Sequence, residues 1–199
     1  MQTNFANPAP LGLMGFGMTT VLLNLHNAGF FEISAMILAM GFCYGGLAQI
    51  IAGIMEYRRN NTFGMTAFLS YGLFWWSLVL TLILPKLGLA DPTPANYMGW
   101  YLLMWGVFTL FMTLGTFKYN RVEQAIFSGL TLLFFLLAWR DFSGSELIGK
   151  IAGFEGILVG CLAIYLAMAT ILNEQFGREI LPIGQPKLRP EPITDSVAL

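Results

Sequence analysis

Six long apolar stretches, separated by short charged hinges, constrain the fold of this chain more than any other feature. They occupy residues 11–27, 33–55, 63–84, 97–117, 122–139 and 151–172. Each is close to the ~20 residues that an α-helix needs to cross about 30 Å of hydrocarbon. Charged residues make up 11% of the chain and lie mostly between the stretches, whereas a soluble domain needs charges every few residues. The pattern predicts an all-α membrane protein with six transmembrane helices.

The domain organisation follows from the same count. The 199 residues leave no room for a second domain beside six spans. We expect a short polar segment at 1–10, a six-helix transmembrane domain at 11–176 that lies in the lipid bilayer, and a Pro-containing, irregular tail at 177–199. The formal net charge of −1 excludes a basic nucleic-acid surface, so we expect no nucleic-acid partner.

The distribution of basic residues predicts the orientation. With six spans, both termini and the second and fourth hinges share one side of the membrane. Seven of the ten Lys and Arg residues lie on that side, namely Arg58, Arg59, Lys118, Arg121, Arg178, Lys187 and Arg189. Because cytoplasmic segments carry the excess of Lys and Arg, both termini are predicted to be cytoplasmic.

Two of the predicted helices carry rows of small residues. The second has glycines at positions 41, 45 and 53, and the sixth has glycines at 149, 153, 156 and 160. Small residues at four-residue spacing let helix backbones approach closely. The pattern predicts close helix contacts, and it leaves open whether the partner helix belongs to the same subunit or to another.

The first helix has an unusually polar face. Phe16, Thr20, Asn24 and Asn27 recur at helical spacing and form one stripe. A stripe with two asparagines is not expected to face lipid, so it indicates either a solute pathway or hydrogen bonds between helices. Thr20, Asn24 and, on the second helix, Gln49 are therefore candidate polar residues of a pathway.

No sequence motif points to an enzyme. The chain has no zinc-binding His pair, nucleophile elbow or phosphate loop, and neither of its two cysteines has metal-ligand spacing. We expect no catalytic residue, no metal and no cofactor. His26, the single histidine, is either a proton-handling group or a hydrogen-bonding residue near the outer end of the first helix. Glu155 is a candidate intramembrane carboxylate, although a carboxylate that snorkels to the outer surface or pairs with Lys150 near it is favoured.

Residues 7–13 carry a specific motif. They read Asn7, Pro8, Ala9, Pro10, Leu11, Gly12 and Leu13. This run resembles the signature of the acetate uptake transporter family, and the similarity continues through further blocks at 15–20, 23–27, 44–46, 56–57, 61–64 and 173–178. The resemblance implies six-helix protomers assembled into a homohexamer in the plasma (inner) membrane of a bacterium or archaeon. It also implies a path for acetate and related small carboxylates, with succinate among them, in each protomer.

The resemblance further implies a narrow constriction formed by Phe16, Tyr71 and Leu130. Counted from the cytoplasmic helix starts at 1.5 Å per residue, all three lie roughly 9–14 Å into the membrane, near its midplane. Ala163 is a further candidate for the path lining. Transport by a channel and by a proton-coupled carrier both remain open. The alternatives are conduction of ammonia or another small neutral solute, and a non-transport assembly or sensory protein.

Overall fold

A computed structural model of the protein describes residues 5–185. It contains six long helices: α1 Ala9–Asn27, α2 Ala35–Arg58, α3 Thr62–Ile83, α4 Ala95–Gly115, α5 Arg121–Ser143 and α6 Glu146–Phe176. No strand occurs within residues 5–185. The first four residues of the predicted N-terminal segment and residues 186–199 of the predicted tail lie outside the described residues.

Five of these helices, α2 to α6, are long and apolar enough to cross a membrane. The remaining helix, α1, has 19 residues, and its two asparagines and one histidine lower its mean hydropathy. Many of its side chains are nevertheless buried, from Pro10 to Asn24. A polar helix is tolerated here because the other helices shield it from lipid.

Short capping residues set the helix boundaries. Side-chain oxygens of Asn61, Asn120 and Ser145 accept first-turn backbone N–H groups of α3, α5 and α6 at 3.0, 2.8 and 3.4 Å. Such caps satisfy donors that a helix start leaves unpaired. At the other ends, α5 stops at Gly144 and α6 at Gly177, whose φ angles of 70° and 62° are left-handed values that glycine adopts without strain.

The small face of α6 packs against α1 of the same chain. A Cβ at Gly156 would lie 2.3 Å from Cγ of Asn24, and a Cβ at Gly153 would lie 2.3 Å from the backbone nitrogen of Ala28. On α2, a Cβ at Gly45 would lie 2.9 Å from the Trp75 ring. The partners that the sequence left open are thus helices of the same protomer.

The middle of α2 is π-helical, over Gly41–Ala48. Side chains donate hydrogen bonds to backbone carbonyls in and beside this segment. Thr19 Oγ1 donates to the carbonyl of Met40 at 3.4 Å, and Trp76 Nε1 donates to the carbonyl of Phe42 at 2.9 Å. A π segment changes the backbone register and frees carbonyls for such donors, and it is frequent at functional sites. This π-helical segment was not predicted from the sequence.

The start of the tail folds back against the helix ends. The side chain of Asn173 accepts hydrogen bonds from the backbone N–H groups of Ile180 and Leu181 at 2.6 and 2.9 Å. The carbonyl of Gly184 accepts one from the N–H of Arg121, the first residue of α5, at 3.0 Å. Residues 177–185 contain no helix, and these hydrogen bonds fix them to α5 and α6.

Candidate functional site: two cavities separated by an apolar barrier

Two cavities enter the helix bundle from opposite ends. The lower cavity, of about 210 Å³, opens between the helix ends that carry Asn7, Asn61 and Tyr119. The upper cavity, of about 310 Å³, opens at the other end of the bundle, beside His26 and Arg140. The lower cavity is on the side that holds residues 5–8 and 177–185, the two ends of the described part of the chain. Together the two cavities occupy much of the length of the bundle.

The three predicted constriction residues lie against the same cavity. Phe16, Tyr71 and Leu130 are all buried and line the lower cavity well inside the bundle. The ring centroids of Phe16 and Tyr71 are 6.2 Å apart. The Tyr71 hydroxyl donates to Oγ1 of Thr109 at 3.0 Å, and this bond fixes the orientation of the ring. The three helices therefore bring the three side chains to the same cavity and into one buried cluster.

An apolar barrier separates the cavities. Tyr71 lines the lower cavity and Phe74, one helical turn further along α3, lines the upper one. The Phe74 ring meets the Phe134 ring edge-on at 5.2 Å between centroids. On α5 the lining passes from Leu130 to Leu137, a rise of about 10 Å at 1.5 Å per residue. Phe74 and Phe134 were not predicted, although their spacing from Tyr71 and Leu130 places them one turn further along the same helix faces.

The polar stripe of α1 crosses this barrier. Phe16 lines the lower cavity and Asn27 the upper one, and Thr20 lies between them. Thr20 is 3% exposed, and its Oγ1 has no hydrogen-bond partner among the described residues. A buried hydroxyl without a partner is uncommon because its desolvation is not compensated. Thr20 thus has a buried hydroxyl without a partner in the described residues, at a level of α1 between the residues that line the two cavities.

The other predicted polar residues have different surroundings. Asn24 lines neither cavity: its Nδ2 donates to the carbonyl of Thr20 at 2.9 Å, and its Oδ1 accepts from Asn27 at 3.0 Å. Gln49 lines the lower cavity, and its Nε2 donates to a carbonyl of the π segment at 2.6 Å. Ala163 is fully buried and lies one turn from Leu166, which lines the lower cavity.

The signature motif builds the mouth of the lower cavity. Asn7 Oδ1 caps α1 by accepting the N–H two residues on at 3.2 Å, and it also accepts from Arg59 at the end of α2. Gly12 leaves room for the Phe68 ring, because a Cβ there would lie 2.4 Å from it. Asn7 and Leu13 line the cavity directly. The motif therefore joins α1, α2 and α3 around the opening.

Two carboxylates in the lower cavity were not predicted as site residues. Glu56 is 1% exposed and accepts a hydrogen bond from Asn61 Nδ2 at 2.9 Å. Glu123 is half-buried and accepts one from Asn120 Nδ2 at 3.2 Å. Burial, followed by the nearby carboxylates of Glu123 and Glu56, raises the pKa of the Tyr119 hydroxyl. The sequence offered a signal, since Glu56 and Asn61 fall in blocks of family resemblance.

The upper cavity contains a cation, the guanidinium group of Arg140. Arg140 Nε donates to Oδ1 of Asp141 at 2.7 Å, and its Nη1 donates to Oδ1 of Asn27 at 3.3 Å. His26 lines the same cavity, and its Nδ1 donates to the carbonyl of Phe31 at 2.9 Å. The arrangement is a paired cation with a free edge, suited to meeting a carboxylate without binding it tightly.

Glu155 lies apart from both cavities. Its side chain lies over Gly129 of α5, where a Cβ would be 3.0 Å from Oε1. Within residues 5–185 the carboxylate forms no ion pair with Lys150, so of the two favoured arrangements the Lys150 pairing is absent. Glu155 lies four residues before Val159, which fills the same groove on α5.

Comparisons with known proteins agree with this architecture. The model of the GPR1/FUN34/yaaH family matches residues 1–182. The succinate-acetate/proton symporter SatP of Escherichia coli is 60% identical over 184 residues, 92% of this chain and 98% of that protein. A solved structure of the bacterial acetate channel SatP, also 60% identical, superposes with a TM-score of 0.90 over 91% of this chain and 100% of that one. Ammonia transport outward protein 2 of Saccharomyces cerevisiae is 38% identical over 179 residues, 86% of this chain and 63% of that protein.

Proposed function

Because the chain belongs to the GPR1/FUN34/yaaH family, we propose that it carries acetate and related small carboxylates, including succinate, across a membrane and is not an enzyme. The observation that carries the proposal is the path itself. Two cavities reach towards each other from opposite ends of the bundle and leave a barrier only about two helical turns thick. The names of the 60% identical relatives, a succinate-acetate/proton symporter and an acetate channel, support the same substrates.

The proposed setting is the plasma (inner) membrane of a bacterium or archaeon, with both termini and the lower cavity on the cytoplasmic side. The excess of Lys and Arg on that side supports the orientation. Each protomer holds both cavities within its own six helices, so each carries its own path. A homohexamer is the proposed assembly, following the family resemblance. Native mass spectrometry of the detergent-solubilised protein tests the number of subunits.

Phe16, Tyr71 and Leu130 form the proposed constriction. The proposal is supported by their burial, by their shared place in the lining of the lower cavity, and by the 6.2 Å between the Phe16 and Tyr71 ring centroids. Phe74 and Phe134 thicken the barrier on the other side. A ring of this kind admits a two-carbon acid more readily than a branched or longer one, because rigid aromatic side chains do not yield at little cost.

The barrier sets the form in which the substrate crosses. An unpaired carboxylate in an apolar layer loses its hydration at a cost of several kcal/mol, and no Lys or Arg lines the cavities next to Phe16, Tyr71 or Leu130. The proposed crossing species is the neutral acid, with Thr20 Oγ1 as its hydrogen-bond partner in transit. A single weak site inside the barrier favours rapid release, which conduction requires.

Labelled acetate and succinate uptake by liposomes tests the proposal. Purified protein is expected to raise the initial rate of both above that of protein-free liposomes, and unlabelled acetate is expected to compete with labelled succinate. Rates equal to those of protein-free liposomes for both substrates would contradict the proposed function.

Ammonia conduction is a second candidate, favoured by the 38% identity to the yeast protein named for outward ammonia transport. An apolar barrier with one available hydroxyl also suits a small neutral solute. Alkalinisation of the liposome lumen after addition of ammonium, measured with a trapped dye, distinguishes the candidates. We expect no increase over protein-free liposomes.

A further inference from the structure

Two carboxylates share the lower cavity below the barrier. Glu56, near the end of α2, and Glu123, in the first turn of α5, both line it. Asn61 holds Oε2 of Glu56. The other oxygen, Oε1, is buried and accepts no hydrogen bond from any described residue. This oxygen forms only a long ion pair with Arg59, at 3.9 Å, so it can accept a hydrogen bond from the hydroxyl of a carboxylic acid that enters the cavity.

The charged and titratable groups around Glu56 are few. Arg59 approaches Oε1 only to 3.9 Å, and its guanidinium also donates to Asn7. From the α4–α5 hinge and α5, Tyr119 and Glu123 face it. The segments α1, α3 and α6 contribute no acidic or basic side chain to the cavity lining. The cavity therefore has an excess of negative charge, which repels a carboxylate anion and favours a protonated one.

A glycine keeps room for this arrangement. A Cβ at Gly64, in the first turn of α3, would lie 3.2 Å from Cδ of Glu56 and 2.5 Å from Nδ2 of Asn61. The Glu56 carboxylate is thus held between a positioning amide and an open cavity. Side-chain oxygens of Asn61 and Asn120 meanwhile cap the two helices that begin here.

We propose that Glu56 and Glu123 are the proton acceptors of the transport path, an inference that rests on the proposed function. A substrate carboxylic acid that has passed the barrier donates its proton to Oε1 of Glu56. The acid O–H bond breaks, an O–H bond forms on Glu56, and the negative charge moves to the substrate. Repulsion by Glu123 then drives the new anion towards the cytoplasm. Glu56 passes the proton to Glu123, which releases it to cytoplasmic water, and both carboxylates return to their starting form.

Succinate flux at two lumenal pH values tests the pair in liposomes whose protein has its lower cavity facing the lumen. With a neutral lumen the crossing acid needs a protein group to take its proton, and Glu56→Gln is expected to lower the initial uptake rate by about 100-fold, the scale of a lost proton-transfer group. With both sides acidic the substrate stays protonated along the path and needs no protein acceptor, so exchange of labelled for unlabelled succinate is expected to be equal in parent and variant. Glu123→Gln is expected to give the same pattern, and Glu174→Gln, an exposed carboxylate on α6, to behave as the parent.

Glutamine keeps the size of Glu56 and an oxygen for Asn61, and the acidic exchange assay reports folding directly. Parent-like rates for both variants with a neutral lumen would overturn the inference while leaving the transport function intact. Loss of the acidic exchange in folded protein would assign the pair to substrate binding instead, and uptake driven by a sodium gradient at constant pH would assign it to a metal cation. Both results would also overturn it. Absence of parent uptake above protein-free liposomes would instead contradict the transport function itself.

Discussion

Thr20 is the residue whose part in the proposed path can be tested most directly. Its hydroxyl lies inside the barrier, one turn from Phe16, without a hydrogen-bond partner in the described part of the chain. A group that served only stability would be expected to have a partner, since an unsatisfied buried hydroxyl costs about 1–3 kcal/mol. The hydroxyl is therefore best explained by a partner that arrives and leaves.

Thr20→Val separates the two roles. Valine keeps the shape and removes the hydroxyl, so thermal stability in detergent is expected to stay equal or rise slightly. The initial rate of acetate uptake is expected to fall several-fold, because a hydrogen bond to the crossing acid contributes on the order of 1 kcal/mol. Thr81→Val, a change of the same kind on α3 at a residue that lines neither cavity, is the control. A lower melting temperature with unchanged flux would make Thr20 a structural residue.

Leu130 governs the width of the proposed constriction. Leu130→Ala removes three side-chain carbons beside Phe16 and Tyr71, so lactate uptake is expected to increase more than acetate uptake. The measurement is the lactate-to-acetate ratio of initial rates at equal protein incorporation, with Leu132→Ala on the exposed face of α5 as control. An unchanged ratio would place size selection elsewhere in the barrier.

Helix α1 is the element on which the others are arranged. Its stripe runs from the level of one cavity to that of the other, and an overlapping face that shares Asn24 with the stripe fills the glycine face of α6. One helix therefore contributes to the proposed path and to the packing of the bundle. Asn24 shows the consequence: predicted as a path residue, it lies where a Cβ at Gly156 would collide with it. Its amide joins the interhelical contact to the polar stripe.

Gly156→Ala tests the α1–α6 contact. The added methyl group has no space beside the Asn24 amide, and overpacking of this kind typically costs about 1–3 kcal/mol. We expect a lower melting temperature in detergent and a smaller yield of folded protomer. Leu158→Ala, which changes an exposed residue on the opposite face of α6, is expected to leave both unchanged. Equal stability of Gly156→Ala and parent would mean that α1 can move away from α6 at little cost.

The sequence was sufficient to predict the helical fold and the direction in which each helix runs through the bundle. Helices match the apolar stretches because about twenty uncharged residues can cross lipid as a helix, which pairs every backbone N–H and C=O within the segment. The π segment in α2 could not be predicted, since backbone register depends on donors such as Trp76 that arrive from another helix. The same limit applies to Glu56: its sequence context indicates a helix end, and only packing reveals that the carboxylate is buried.

The whole molecule is asymmetric between its two ends. The upper cavity offers an Arg140 guanidinium to an arriving anion, the barrier is apolar, and the lower cavity has carboxylates that disfavour the anion. On the proposed function, this order attracts the anion outside, passes the neutral acid that forms when the anion takes a proton from the outer water, and separates that proton from the anion inside. Depth counting from the helix starts placed Phe16, Tyr71 and Leu130 at one level, because rise per residue is constant. The distribution of charge at the two cavity mouths could not be predicted in this way, because it depends on how side chains from four helices come together.

Acetate uptake into liposomes, compared between the parent and Leu130→Trp at equal incorporation, shows whether acetate crosses through the barrier beside Leu130. Parent uptake is expected to exceed that of protein-free liposomes and to increase when the outside is made more acidic than the lumen. Tryptophan at the level of Phe16 and Tyr71 is expected to fill the top of the lower cavity and lower that excess rate by about tenfold or more, a change of roughly 1.4 kcal/mol in the barrier. Parent uptake equal to the protein-free leak, or full uptake by folded Leu130→Trp, would contradict a path through this barrier.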